Sequence, residues 1–266
     1  MLSLKQFSGV LTASVGAVSE KMDTRVKGIP VVFYNALGFP VTDVAEVAIE
    51  APKFPKGVNL PGGCHSKLDS HNFSCFAVFQ GYKWKILSYR NGTVYLLIEA
   101  TVPATGYAVY DVRLSGSQKQ ADSFVSETTV ENSVYKISLD KKGDIISLYD
   151  KKNNKELVKD GKSIRLALFT ENESYNWPAW EILKKTIDRA PVSITEDVKM
   201  NLCENGALRK TLCIEKRHGK SLFRQYIRLY EGELADRIDF YNEIDWQSTN
   251  ALLKAEFPLN VDNEKA

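Results

Sequence analysis

The chain has 266 residues, of which 44% are hydrophobic and 26% are charged, as in ordinary folded proteins. Its 35 Lys and Arg residues nearly balance 33 Asp and Glu residues, and the resulting net charge of +2 argues against a nucleic-acid partner. No apolar run approaches the roughly 18 residues that span a bilayer, so we expect no membrane partner either.

The opening segment MLSLKQFSGVLTASVGAVSEKM admits two interpretations. Lys5 followed by small residues is compatible with a weak secretion signal. The apolar residues, however, recur every three or four positions, at Leu4, Phe7, Leu11, Val15, Val18 and Met22. This spacing favours one apolar stripe of an amphipathic helix.

Most of the following sequence has the pattern of β-strands. IPVVFYN and VTDVAEVAIE are predicted strands, and FAVFQGYKWKIL and TVYLLIEATVPATGYAVYDVRL add more, the last being interrupted at Pro103 and Gly106. Pro52 to Asn72 is rich in Pro, Gly, Ser and Lys and predicts loops. The polar stretch SGSQKQADS is the candidate linker between two domains.

A second β region begins at ENSVYKISLDKKGDIISLYDKKNNKELV, where Gly143 and the Asn153-Asn154 pair predict successive antiparallel turns. In SLFRQYIRLYEGE, strict alternation predicts that Phe223, Ile227 and Leu229 face inward. The same alternation places four residues on the outward face: Arg224, Tyr226, Arg228 and Tyr230.

Strands with one polar face are typical of antiparallel sheets, and only YNWPAWEILKKTID offers a candidate crossover helix. We therefore predict a mainly β fold of antiparallel β-sandwiches preceded by one helix. The helix would occupy residues 1–27, a small β-sandwich 28–115, and a larger one 122–266.

Four cysteines are too few for a disulfide scaffold. A two-residue loop at Asn205-Gly206 would place Cys203 opposite Leu208, and Cys213 opposite Val198. The prediction is therefore that Cys203 and Cys213 are separate, small apolar residues.

Candidate metal ligands occur at Cys64, His65, His71 and Cys75. Adjacent residues point apart in an extended chain, and no second ligand pair reinforces the set, so we predict a polar loop and no zinc site. The remaining histidine, His218, lies in a predicted surface turn. No Gly-x-Ser-x-Gly turn or catalytic-cysteine signature accompanies any histidine, and there is no phosphate-binding glycine loop.

Sugar hydrolysis requires two carboxyl groups across one bond, but most acidic residues fall on the outer faces of predicted strands. Asp245, at a strand end before Trp246, is either a functional loop residue or the residue that fixes the turn into QSTN.

The segment LFTENESYNWPAWEI is the best candidate for a ligand surface. Tyr175, Trp177 and Trp180 cluster in a polar loop, where flat aromatic faces can stack on sugar rings. Asn176 or Glu173 could then bind hydroxyl groups. The alternative is that the two tryptophans pin a long loop onto a sheet.

Five segments in order resemble glycoside hydrolase family 38, the retaining α-mannosidases. They are PVVFYNALGFPVTDVAEVAI, ATVPATGYAVYDV, ENSVYKISLDKKGDIISLYDKKNNKEL, YNWPAWEI and IDFYNEIDWQSTNALLKAEFPLNV. In the third, the residues that match the family pattern are Asn132, Gly143, Ser147, Asp150, Lys151 and Glu156. The fourth departs from the pattern, since Pro178 stands where the family has Asp, and this weakens any inferred sugar contact there.

The resemblance implies that this chain follows the catalytic domain of such an enzyme. Residues 1–27 would end a three-helix bundle, and the large β-sandwich would be of the galactose-mutarotase type, truncated at its C-terminal end because the family continues with further strands. The missing N-terminal catalytic domain would be its partner and would hold the nucleophile and most zinc ligands. No stretch here matches those residues, so no catalytic or metal-binding residue is assigned.

Three functional hypotheses follow. The first is a non-catalytic C-terminal portion of an α-mannosidase that cleaves terminal α-mannosides of glycans and possesses zinc only in its full-length form. The second is a stand-alone carbohydrate-binding module, and the third a structural or adhesive β-sandwich. In the first two, the substrate-binding candidates are Tyr175, Asn176, Trp177, Trp180 and Asp245. The compartment stays open between a bacterial cytoplasm and periplasm.

Overall fold

The computed structural model describes residues 2–50, 84–90, 93–112, 128–177 and 180–261. The chain divides into two compact units, Met1–Gln120 and Ala121–Ala266. The residue limits predicted for the two β domains remain predictions. None of the helices within the described ranges is both long enough and apolar enough to span a membrane.

The described residues of the first unit form one helix and five strands. Its elements are α1 (Leu2–Ser19), β1 (Ile29–Asn35), β2 (Val41–Glu50), β3 (Trp84–Arg90), β4 (Thr93–Val102) and β5 (Gly106–Val112). The predicted helix is present. Its apolar stripe is largely exposed, with 74% of Leu4 and 74% of Phe7 accessible to solvent.

Two antiparallel sheets form the first unit, with strand orders β1-β5 and β2-β4-β3. A single cluster of apolar side chains draws on both, including Leu96 and Ile98 from β4 and Tyr110 from β5. The chain between β4 and β5 turns at Pro103 and Gly106, where the sequence predicts a break.

In the second unit, the described residues form eleven strands, two short helices and three sheets. The strands are β6 (Thr129–Glu131), β7 (Tyr135–Leu139), β8 (Ile145–Asp150), β9 (Lys155–Glu156), β10 (Arg165–Phe169), β11 (Val192–Ser193), β12 (Glu196–Asn205), β13 (Arg209–His218), β14 (Ser221–Tyr230), β15 (Ile238–Asp245) and β16 (Leu252–Glu256). The helices are α2 (Lys184–Ile187) and a 3-10 turn (Gly232–Leu234).

The strand orders of the second unit are β6-β7-β8-β9, β12-β13-β14-β15 and β11-β10-β16. Ile137 and Leu148 of the first sheet share a buried cluster with Leu212 and Ile227 of the second. A smaller cluster of Leu168, Ile194 and Phe223 lies beside the third. All the strand pairs among the described residues are antiparallel, so the predicted mainly β, antiparallel fold with a leading helix is confirmed. The mutarotase-type arrangement remains a prediction.

The turn between β7 and β8 packs tightly against β13. Gly143 has φ of 71°, and a Cβ atom there would lie only 2.7 Å from Cγ2 of Ile214. Next to it, Asp144 and Lys216 form a buried ion pair, with Oδ1 and Nζ 2.5 Å apart. A side chain at residue 143 would therefore be strained by its backbone and crowded by its neighbours.

The prediction that Cys203 and Cys213 stay separate is wrong, because the two form a disulfide with Cα atoms 5.8 Å apart. The hairpin between β12 and β13 pairs Asn205 with Lys210, so its loop is longer than two residues. A β-bulge between Leu202 and Glu204 makes Cys203 the extra residue, and Cys213 lies opposite Asn201, on the near side of the bulge. Both cysteines are half-buried, not fully enclosed as apolar residues.

Several features discussed from sequence lie outside the described residues. They are the candidate zinc ligands Cys64, His65, His71 and Cys75, the predicted loops from Pro52 to Asn72, the part of the predicted strand FAVFQGYKWKIL before Trp84, the candidate linker SGSQKQADS, and Pro178.

Candidate functional site

The aromatic loop, defined here as residues 174–177, 180 and 181, lies between β10 and α2. Its three aromatic side chains are among the most exposed of the described residues. The accessible fractions are 74% for Tyr175, 66% for Trp177 and 88% for Trp180. A tryptophan that pinned the loop to a sheet would be covered, so the structure does not support the pinning interpretation.

The two indole rings are stacked at a tilt. Their centroids are 6.4 Å apart and their planes differ by 28°, and together with Glu181 they line an apolar hollow of about 390 Å³. The backbone holds this arrangement, because the Trp180 N–H donates to the Trp177 carbonyl at 2.9 Å and the Trp177 N–H donates to Ser174 Oγ at 3.0 Å. The result is a preformed aromatic surface.

The Glu181 carboxylate joins the two ends of the aromatic loop. Its Oε2 atom accepts hydrogen bonds from Ser174 Oγ and from the Tyr175 N–H, both at 2.7 Å. The Ser174 hydroxyl, followed by the backbone N–H groups of the loop, lowers the pKa of Glu181. This carboxylate is therefore ionised at neutral pH and fixes the shape of the loop.

Glu173 precedes the loop and forms an ion pair with Lys185. The hydrogen bond from Lys185 lowers the pKa of Glu173, and the Lys185 ammonium also lies 5.9 Å from the centre of the Tyr175 ring. The cation thus connects the carboxylate with one face of the aromatic ring.

The structure brings together four of the five residues predicted to bind substrate. Tyr175, Asn176, Trp177 and Trp180 share the aromatic loop, and Asn176 is exposed there. Asp245 lies apart from them at the end of β15, where its Oδ1 accepts a hydrogen bond from Gln247 Nε2 at 2.7 Å. This contact fits a role in fixing the following turn, and substrate binding by these residues remains a prediction.

Sequence reasoning missed a polar cleft beside the aromatic loop. It has a volume of about 580 Å³ and is lined by Thr170, Glu171, Asn172, Glu173, Ser174, Thr249 and Asn250. The QSTN segment signals a turn, but no local pattern shows that this turn meets the segment after β10. A hydrogen bond from the Asn172 N–H to the Asn250 carbonyl, at 2.6 Å, joins the two.

The described part of the chain offers no candidate metal centre, since no three of its His, Cys, Asp and Glu residues are grouped to hold an ion. His218 ends β13 next to the turn at Gly219, 3.6 Å from Glu196, as expected for a surface hairpin.

Comparison with known proteins gives one family. The model of the "Glycosyl hydrolases family 38 C-terminal domain" matches residues 130–266, slightly more than half of the chain. A search of curated proteins found no significant match. The matched residues include β7 to β16, the aromatic loop and the polar cleft. The chain therefore belongs to glycosyl hydrolase family 38 and carries its C-terminal domain.

Proposed function

We propose that this chain is the non-catalytic C-terminal β portion of a retaining α-mannosidase. In the full enzyme, an N-terminal catalytic region of the same polypeptide would cleave terminal α-mannosides of glycans. The β portion would support that region and offer the aromatic loop to the substrate. The observation that carries the proposal is the family match over residues 130–266.

Neither Glu173 nor Glu181 in the aromatic region has the raised pKa of a general acid. A retaining glycosidase needs one carboxyl group whose pKa is raised so that it can donate a proton to the leaving oxygen. The pKa values of Glu173 and Glu181 are shifted the other way, by Lys185 and by Ser174 respectively. Both carboxylates are suited to holding the loop in place.

The resemblance to family 38 implies zinc in the full enzyme. The described residues do not fit a zinc site, because they contain no cluster of three or more His, Cys, Asp or Glu side chains in a suitable arrangement. The proposal therefore places the metal in the catalytic region.

Helix α1 fits the same proposal. Leu4, Phe7 and Leu11 form an exposed apolar stripe, each at least 66% accessible. A helix with such a stripe is typical of a member of a helical bundle, and we propose that α1 packs against helices of the catalytic portion.

The isolated 266-residue chain is expected to show no hydrolysis of an aryl α-mannoside, with or without added zinc. The complete polypeptide that includes the catalytic region should hydrolyse the same substrate, and a chelator should abolish this activity. Release of the aryl alcohol, followed by absorbance, measures both. Turnover by the isolated chain above that of a heat-denatured sample would contradict the proposal.

A second candidate function is that of a carbohydrate-binding module, and the exposed Trp177–Trp180 pair favours it. If the aromatic loop binds sugar, Trp180→Ala should weaken binding of methyl α-mannoside to the chain by tenfold or more, because the ring loses its stacking surface. Titration calorimetry measures the affinity. Phe39→Ala is the matched control, since Phe39 is a 60% exposed aromatic residue of the other unit. Equal losses in both variants would refute a specific aromatic site.

A further inference from the structure

The polar cleft is built from two chain segments that are distant in sequence. Residues 170–174 follow β10, and Thr249 and Asn250 precede β16. Asn250 has φ of 50°, a conformation that few residues other than glycine adopt, while its carbonyl receives the Asn172 N–H. Both walls of the cleft are thus held in defined positions.

The charges of the cleft are balanced. The Glu171 carboxylate is paired with Arg189, and the Glu173 carboxylate is paired with Lys185. A cation would have to compete with two resident cations, and an anion would meet two carboxylates. The cleft is therefore suited to a neutral ligand.

One residue that lines the cleft also carries an unsatisfied hydrogen-bond acceptor. Asn172 lines it, and the Oδ1 atom of Asn172 is buried without a hydrogen-bond donor among the described residues. Buried acceptors normally have a donor, since water no longer supplies one. Rotation of the Asn172 side chain toward the cleft would let a ligand hydroxyl donate to this oxygen.

The polar cleft and the aromatic loop meet at Ser174. This residue lines the cleft, and its hydroxyl donates to Glu181, which lines the hollow beneath Trp177 and Trp180. A ligand that covers both surfaces needs an apolar face, several hydroxyl groups and more length than the tryptophan pair alone can cover. Linked sugar units have all three properties.

We propose that the polar cleft is a second sugar subsite, so that this surface takes an oligosaccharide of at least two neutral units. One unit stacks on the tryptophan pair, and the neighbouring unit places hydroxyl groups in the cleft near Asn172. The choice of mannose as the sugar rests on the proposed function. The number of units rests on the geometry of the two surfaces.

The test compares methyl α-mannoside with the set of α-linked mannobioses by titration calorimetry on the 266-residue chain. At least one disaccharide should bind about tenfold more tightly than the monosaccharide. Asn172→Leu should remove this gain and leave monosaccharide binding unchanged. This replacement preserves the backbone bond to Asn250, and thermal unfolding of the variant should match that of the wild type.

Asn201→Leu is the matched control, because Asn201 is an exposed asparagine of β12 that lines neither cavity, and it should retain the full gain. If no disaccharide binds more tightly than the monosaccharide, or if Asn172→Leu keeps the higher affinity for the disaccharide, the second subsite is refuted. Sugar binding by the aromatic loop is not refuted by either result. Failure of every sugar to bind up to millimolar concentration refutes both sugar surfaces of the chain. Neither result affects the conclusion from the aryl α-mannoside assay, which tests the proposed parent enzyme separately.

Discussion

Replacing Asp144 with alanine is expected to lower the free energy of unfolding of the second unit by about 3–5 kcal/mol, because it leaves the buried charge of Lys216 without a partner. The Asp144 and Lys216 side chains are only 6% and 7% exposed, and their ion pair joins the β7–β8 turn to β13. Without the carboxylate, the Lys216 ammonium must either stay buried unpaired or break out of the core. Urea unfolding, followed by tryptophan fluorescence and circular dichroism, measures the loss.

Two further variants separate this explanation from a general effect of mutation. The double variant Asp144→Leu with Lys216→Met leaves no buried charge, and it should recover most of the lost stability. In the exposed pair of Lys184 and Asp188, whose side chains are 82% and 56% accessible, Asp188→Ala should cost less than about 1 kcal/mol. Equal costs for Asp144→Ala and Asp188→Ala would contradict the argument.

Alternation along the chain was sufficient to predict the strands and their inner faces. Phe223, Ile227 and Leu229 are buried as expected, because successive residues of a strand point to opposite faces and only one face meets the core. The turns could be predicted equally well, since Gly143 and Asn154 both have positive φ, as their residue types suggest.

Contacts beyond a single strand were not predictable in this way. Tyr230 lies on the outward face of β14, yet it is buried, because Arg237 covers its ring at 5.1 Å and its hydroxyl donates to Asp239. The Cys203–Cys213 disulfide was missed for a similar reason. It depends on one extra residue in β12, and strict alternation assumes that no residue is extra.

The residues that match the family pattern between β6 and β9 have structural roles. Ser147 and the backbone of Leu148 donate to the Glu156 carboxylate, at 2.6 and 2.9 Å, which ties β8 to β9. Asp150 accepts from the backbone N–H groups of Lys152 and Asn153 and so closes the next turn. These family-pattern residues therefore hold neighbouring strands and turns of the β6–β9 sheet together.

Only half of the candidate site could be predicted from the sequence, and the reason is physical. Tyr175, Trp177 and Trp180 are close together in the chain, so their clustering is visible in the sequence. The polar cleft requires the segment around Asn172 to meet the turn at Asn250, and this contact is set by the pairing of β10 with β16. No local pattern encodes it.

Asn132→Ala is expected to destabilise the second unit by about 4 kcal/mol, taking roughly 1 kcal/mol for each lost hydrogen bond. The Asn132 side chain is buried and makes four bonds to the backbone. Its Nδ2 donates to the carbonyls of Tyr230 and Ala235 at 2.6 and 2.7 Å, and its Oδ1 accepts from the N–H groups of Val134 and Tyr135 at 2.9 and 2.6 Å. One amide thus links the start of β7 to the end of β14, and alanine leaves all four groups without a partner.

Asn132→Asp distinguishes these bonds from simple packing, because the two side chains have nearly the same shape. Aspartate keeps the acceptor for Val134 and Tyr135, but it presents a second oxygen to the carbonyls of Tyr230 and Ala235, and like partial charges then repel. At neutral pH the aspartate variant should therefore be no more stable than the alanine variant in urea unfolding. Asn242→Ala, on the exposed face of β15, should change stability by less than about 0.5 kcal/mol. If Asn132→Asp instead unfolds like the wild type, shape and not hydrogen bonding explains why asparagine occupies this position.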